Sequence, residues 1–373
     1  MNHGRRATVL GGLALSAATV VALWLLAEAV VRLFFEGAAP PVQLAYADIG
    51  ETYTPSYRGL MFDPETGRSV PMRTNALGFR GPDRPEAKPD GVRRIAVLGD
   101  SMVAGLAVPE PETMCSVVEA LLNADAAGTP RVEVMNFGIS ASAPAQELAL
   151  YRGLVRRLAP DVVVLTFFYG NDLSDTLYEI SDRYGRMYLE IDDAGGLRPR
   201  PYTESPRVAR WLARSRVVAW IRLLTGKARR NTKKVREPAS PSALGYLPDG
   251  DPRAEQAWRL LEAIVAELAR DVRADGGRLV VLAIPSAREI YPDPEALRDW
   301  AGPIADVVDL DVQERRMTRL CERLGLPFVS LKPRFLAEAN GSEPLYLARL
   351  GHLSARGHRV AAAVLADRLR DVP

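Results

Sequence analysis

Three short clusters in this 373-residue chain join small residues to groups that can react: Gly99-Asp100-Ser101, Asn136-Phe137-Gly138 and Gly170-Asn171-Asp172. A fourth, Gly351-His352-Leu353, brings an imidazole near the carboxyl terminus. Together they hold a hydroxyl nucleophile, a base, a side-chain amide and a backbone N–H at Gly138, the parts that acyl transfer needs. Each has an ordinary alternative. Ser101 could be the N-cap of the helix after it, Asn171 a turn residue, and His352 a surface histidine. Asp100, Asp172 and Glu343 are the candidate supporting carboxylates.

The chain has only three histidines, His3, His352 and His358, so a histidine base must be one of them and a His-rich metal centre is excluded. His3 precedes a long apolar segment, on the far side of a membrane if that segment crosses one. His358 lies four residues beyond Ser354, which reads as the N-cap of the last helix, so it rides on that helix. His352 falls in the loop before the cap, where a side chain can reach Ser101.

The elements that must position these groups follow a βα rhythm from Arg94 onward. Apolar runs at 95–98, 132–135, 162–168, 279–284 and 327–331 read as strands buried on both faces. Amphipathic stretches at 112–123, 145–158, 254–274, 313–324 and 354–370 read as helices between and after them. Such alternation specifies an α/β fold with a mainly parallel five-stranded sheet covered on both faces. Ligands then bind outside the carboxyl ends of the strands, where the first three clusters are expected to fall.

Residues 7–27 carry no charge and are rich in Leu, Val and Ala, and the apolar character runs on to Phe35. About 20 such residues cross a bilayer, so residues 1–36 read as an N-terminal transmembrane anchor. Arg5 and Arg6 precede it, which places the amino terminus in the cytoplasm and the rest outside the inner membrane. A cleaved signal peptide, ending near Ala27-Glu28-Ala29, is the rival. Residues 37–93, punctuated by proline, read as an irregular leader packed on the body, with tight turns at 73–82.

The four clusters, in this order, resemble the signature blocks of the SGNH (GDSL-like) hydrolases. Asn75 to Pro82 looks like the leader of membrane-anchored bacterial members, so the resemblance spans about residues 73–366. It implies a flavodoxin-like three-layer α/β/α sandwich over 94–373, with Ser101 as nucleophile and His352 as base. The Ser101 and Gly138 backbone N–H groups and the Asn171 side chain would form the oxyanion hole, with no metal and no cofactor. The chain departs from the family where an acid usually stands shortly before the histidine, because those positions are Arg349 and Leu350. Three explanations stay open: a Ser–His dyad oriented by a backbone carbonyl, an acid from elsewhere such as Glu343, or a weakened or dead enzyme.

An insertion at about 176–250 interrupts the rhythm. Residues 205–236 hold eleven basic side chains and no acidic one, against a net charge of +2 for the whole chain, which leaves about −9 elsewhere. A nucleic-acid binder would not concentrate its charge so. The basic stretch 207–236, which contains Trp211 and Trp220, suits either an anionic membrane surface or packing on the body. Cys115 and Cys321 fall in expected helices, which favours burial over a bridge. The reading is therefore an extracytoplasmic serine esterase acting on acyl esters, with carbohydrate or lipid as the alcohol. The alternatives are an O-acyltransferase or acetyl esterase of envelope or exported polysaccharide, and a degenerate glycan-binding or assembly protein.

Overall fold

The computed structural model describes residues 3–34, 43–46, 50–62, 69–124, 131–177, 187–200, 215–218, 221, 240–347 and 351–372. The uncharged amino-terminal run forms one helix, α1 (His3–Phe34). Its Gly11–Phe34 part has a mean hydropathy of 2.0 and none of it is buried, so by length and composition it can span a membrane or serve as a signal sequence. Glu28 near its end accepts hydrogen bonds from Ser215 Oγ (2.7 Å), Arg216 N (2.8 Å) and Val217 N (3.2 Å). The guanidinium of Arg216 in turn lies 4.3 Å from the Tyr57 ring. The rest of the basic stretch lies outside the described residues.

The leader is more regular than its prolines suggest. It holds two antiparallel pairs, β1 (Gln43–Tyr46) with β2 (Gly50–Tyr53), and β3 (Arg58–Phe62) with β4 (Ser69–Arg73). Pro71 is compatible with β4 because a two-stranded ribbon is all edge. The expected tight turn follows, with Asn75 Oδ1 accepting from Leu77 N and Phe79 N, both at 3.0 Å, and Gly78 at φ 85°. That turn delivers Phe79 edge-on to Phe137 and sends the buried Arg80 to the carbonyls of Ala104 (3.2 Å), Gly105 and Val108 (2.5 Å).

The body begins with β5 (Val92–Gly99), α2 (Ser101–Ala104), α3 (Met114–Ala124), β6 (Arg131–Gly138), α4 (Pro144–Gly153) and β7 (Val162–Phe168). The short helix α5 (Asp172–Thr176) and the hairpin β8 (Leu189–Ile191) and β9 (Leu197–Pro199) open the insertion. Then come α6 (Pro252–Ala274), β10 (Arg278–Ile284), α7 (Ala287–Ile290), α8 (Pro294–Ala301) and α9 (Val312–Leu324). The chain closes with β11 (Phe328–Ser330), α10 (Lys332–Glu338) and α11 (Ala355–Arg370). The five body strands form one parallel sheet in the order β11-β10-β7-β5-β6, the flavodoxin-like arrangement, with helices on both faces.

Alternation along the strands divides the core in two. Ala96, Leu98, Val163, Leu165 and Val281 pack with Leu148 of α4, Leu261 and Ile264 of α6 and Met317 of α9. Ile95, Val97, Val162, Val164 and Val280 face the other way, onto Cys115 and Val118 of α3 and Leu365 and Leu369 of α11. Cys115 and Cys321 are both buried free thiols, which agrees with the apolar role expected of them.

The second cluster falls inside a strand and not after it. β6 runs on through Asn136, Phe137 and Gly138, with Gly138 opposite Gly99 of β5. Both glycines leave room for α2. A Cβ on Gly138 would lie 2.2 Å from Ala104 N and 2.6 Å from Val103 C, and one on Gly99 would lie 2.4 Å from Val103 Cγ2. Asn136 Nδ2 adds a hydrogen bond to Val103 O at 2.8 Å. We expect Gly138→Ala to lift α2 off the sheet and to destabilise the fold by about 1–3 kcal/mol in chemical denaturation. An unchanged midpoint would show that α2 is not seated against β6.

Candidate active site

Where the strand order reverses, between β5 and β7, a doubly wound sheet opens a crevice at its carboxyl edge. Ser101 stands directly after β5, and Asn171 follows β7. Ser101 is not the N-cap of its helix. Asp100 takes that place, with Oδ1 accepting from Met102 N at 2.8 Å, so Ser101 becomes the first residue of α2 and its N–H has no intrahelical partner. Its Oγ lies 3.1 Å from Nε2 of His352, 251 positions away in sequence.

The loop that carries His352 is closed by its own backbone. Leu347 N donates to His352 O at 2.8 Å, Ser354 N donates to Leu345 O at 2.9 Å, and Tyr346 pairs with Leu353. Ser354 is the N-cap of α11, as its position implied, through its side chain and Gly357 N. Arg349 and Leu350, where the usual acid is replaced, lie outside the described residues. Glu343 is exposed and its carboxylate lies 3.5 Å from Arg359. The third histidine plays a structural part. His358 is buried in α11, its Nδ1 accepts from Met114 N at 3.2 Å, and burial with nearby Arg80 and His352 pushes its pKa down to about 3.

The amide of Asn171 is oriented from behind, its Nδ2 donating to Asp175 Oδ2 at 2.8 Å and lying 3.4 Å from Asp172 Oδ1. The longer bond, to Asp172, takes the second amide hydrogen, so Asn171 can meet a substrate oxygen only by exchanging that weak bond for it. Gly138 behaves otherwise than expected of an oxyanion donor, because its N–H donates to Asn136 Oδ1 at 2.8 Å. In the turn beyond β6, Ala141 holds φ 61°, an unusual conformation for a residue with a Cβ. Nothing in the local composition marks that position.

Four carboxyl groups are buried under this edge: Asp100, Glu147, Asp172 and Asp175. Asp172 Oδ2 accepts from Phe168 N at 2.7 Å, whereas neither oxygen of Glu147 has a hydrogen-bond partner among the described residues. Burial is the main force on three of them. It pushes Asp100 up to about 6, and with neighbouring carboxylates it holds Asp172 and Glu147 well above the usual range. Glu147 and Asp175 escaped the sequence reading because helix periodicity marks α4 and α5 as packed elements without saying which polar residues face inward.

A cleft of about 730 Å³ opens beside these groups, lined by Asn171, Ser286, Arg288, Tyr291, Trp300 and Gly351 among others. Four of these, Ser286 to Trp300, were not read as site residues. The rule that picked out the first three clusters, to look just past each strand, would have found Ser286 two residues after β10.

No family model and no curated protein matches the chain. Among solved structures it is similar to a mutant of an acetylxylan esterase from Geobacillus stearothermophilus, at 14% identity and a TM-score of 0.40, over 75% of this chain and 94% of that one. A lipase/acylhydrolase from Enterococcus faecalis gives 13% and 0.40, over 75% and 96%. A lipolytic protein of the G-D-S-L family from Desulfitobacterium hafniense gives 8% and 0.38, over 74% and 98%.

The raised carboxyl of Asp100 has a testable sign. Its folded pKa of about 6 exceeds its unfolded value of 3.8, so its contribution to stability is complete below about 4 and is lost as pH rises through 6. Asp100→Asn keeps a capping oxygen and removes the titration. Its melting temperature relative to the unsubstituted chain is expected to climb between pH 4 and 7, by the equivalent of about 1–3 kcal/mol. A constant difference across that range would mean that Asp100 ionises normally.

Proposed function

We propose that the chain is a serine esterase of the SGNH type, held to a membrane by α1 with its body outside the cytoplasm. The observation that carries this reading is the 3.1 Å approach of His352 Nε2 to Ser101 Oγ, with Gly351, the residue before His352, lining the cleft. That approach favours a working enzyme over a degenerate binding protein, since a relic has no need to hold a base against a hydroxyl.

In this scheme His352 Nε2 takes the Ser101 proton as Oγ attacks the ester carbonyl carbon. The oxygen that becomes negative is met by the Ser101 N–H and by the Asn171 amide hydrogen that gives up its 3.4 Å bond to Asp172. His352 returns the proton to the leaving alcohol, which leaves an acyl group on Ser101. Water, activated by His352, then releases the acid; a sugar hydroxyl in the place of water would make the same site a transferase. Asp175 acts through Asn171 by fixing its amide, and Asp100 acts through α2 by capping it. The Gly138 role shifts from donor to spacer, because its N–H is already engaged. The basic stretch 207–236 would lie on the anionic face of the bilayer, next to the point where Glu28 meets Ser215.

Incubation of the full chain with a serine-reactive phosphonate should label Ser101, and Ser101→Ala should lower hydrolysis of short acyl esters by about 10³-fold or more with the fold intact. Activity that survives the substitution would overturn the assignment. For topology, a reporter fused after residue 373 should be active only outside the cytoplasm; a cytoplasmic signal, or release of the chain in soluble form, would refute the anchor.

A further inference from the structure

Among the described residues two arginines stack on tryptophans, and they differ in one respect. Arg316 lies 5.4 Å from the Trp258 ring and also pairs with Asp249 and Glu255. Arg288, on α7 just past β10, lies 4.4 Å from the Trp300 ring and lines the cleft beside Asn171. Among the described residues it has no hydrogen bond and no ion pair. It is also half-buried, so its charge is partly stripped of water with only the ring face supplied in return.

The platform beneath it is fixed. Trp300 Nε1 donates to Ser242 Oγ at 3.1 Å, Trp300 O accepts from Ser240 N at 3.0 Å, and the Tyr246 ring packs edge-on at 5.3 Å. Stacking on indole uses the face of a guanidinium and leaves its in-plane N–H donors available. Those donors form a planar fork that matches a carboxylate.

We propose that Arg288 on Trp300 is a subsite for a carboxylate on the alcohol side of the substrate, which makes the substrate an O-acylated acidic sugar of the uronate kind. This rests on the esterase reading above. The cleft is far larger than a short acyl group needs, and Ser240, Ser242 and Ser286 add hydroxyls to its wall, as a sugar requires. A long acyl chain is the poorer occupant, because it would leave the guanidinium donors unpaired in an apolar contact.

The test uses the full chain in detergent with Ser101→Ala, so that nothing is turned over. Trigalacturonate, its fully methyl-esterified form and glycerol phosphate are titrated by calorimetry at low and moderate salt. The acid is expected to bind roughly tenfold or more tightly than its methyl ester, with the preference shrinking as salt rises. Arg288→Gln should reduce the preference to about one, and Arg288→Lys should keep part of it. Equal affinity for acid and ester, a preference that survives Arg288→Gln, or stronger binding of glycerol phosphate overturns the proposal. Phosphonate labelling of the unsubstituted chain separates the two ideas. Labelling without uronate preference removes the subsite alone, whereas uronate preference without labelling removes the esterase and keeps the subsite.

Discussion

Everything at the reactive edge depends on how closely the four-residue helix α2 lies against the ends of β5 and β6. Gly99 and Gly138 stand opposite each other in the ladder, and both give up a side chain to admit Val103 and Ala104. Asn136 then ties Val103 O to the sheet, and Arg80 from the leader takes the Ala104 carbonyl from the other side. So short a helix has no stability of its own. Its position is dictated by contacts on every side, and Ser101 inherits that position. His352 arrives from the opposite end of the chain on a loop closed by Tyr346 and Leu353.

The same crowding explains the electrostatics. Seating α2 on the sheet closes off Asp100, and α4 and α5 enclose Glu147 and Asp172 close by, so burial outweighs the ordinary preference of these three carboxyl groups for ionisation. Asp100 and Asp175 each retain one useful hydrogen bond, to Met102 N and to the Asn171 amide. The protons held in this region are therefore part of the architecture.

The sheet was readable because each strand is a continuous apolar run, and a parallel sheet buried on both faces demands that. Ser101, Asn171 and His352 were readable because carboxyl edges concentrate polar groups among small residues. The alternative of Ser101 as a cap stayed open because Asp and Ser are adjacent and both are good caps, a choice that φ and ψ decide and composition does not. Gly138 was read for its N–H when its lack of a Cβ is what matters, since a close approach between β6 and α2 is a tertiary fact. The leader's two hairpins were hidden by prolines, which a free ribbon edge tolerates. Arg288 and Trp300 lie 12 positions apart on separate short helices, and no local period joins them.

The contact at Glu28 changes what kind of joint connects α1 to the body. A domain hung on chain alone pivots and swings through whatever volume its linker permits. Here one carboxylate receives Ser215 and two backbone N–H groups, and the adjacent Arg216 leans on Tyr57 of the leader, so the joint behaves as a bracket. A bracket fixes altitude and heading. The body is then held at a set distance from the end of α1, and lengthening the connecting peptide would not change that distance as long as Glu28 keeps its grip.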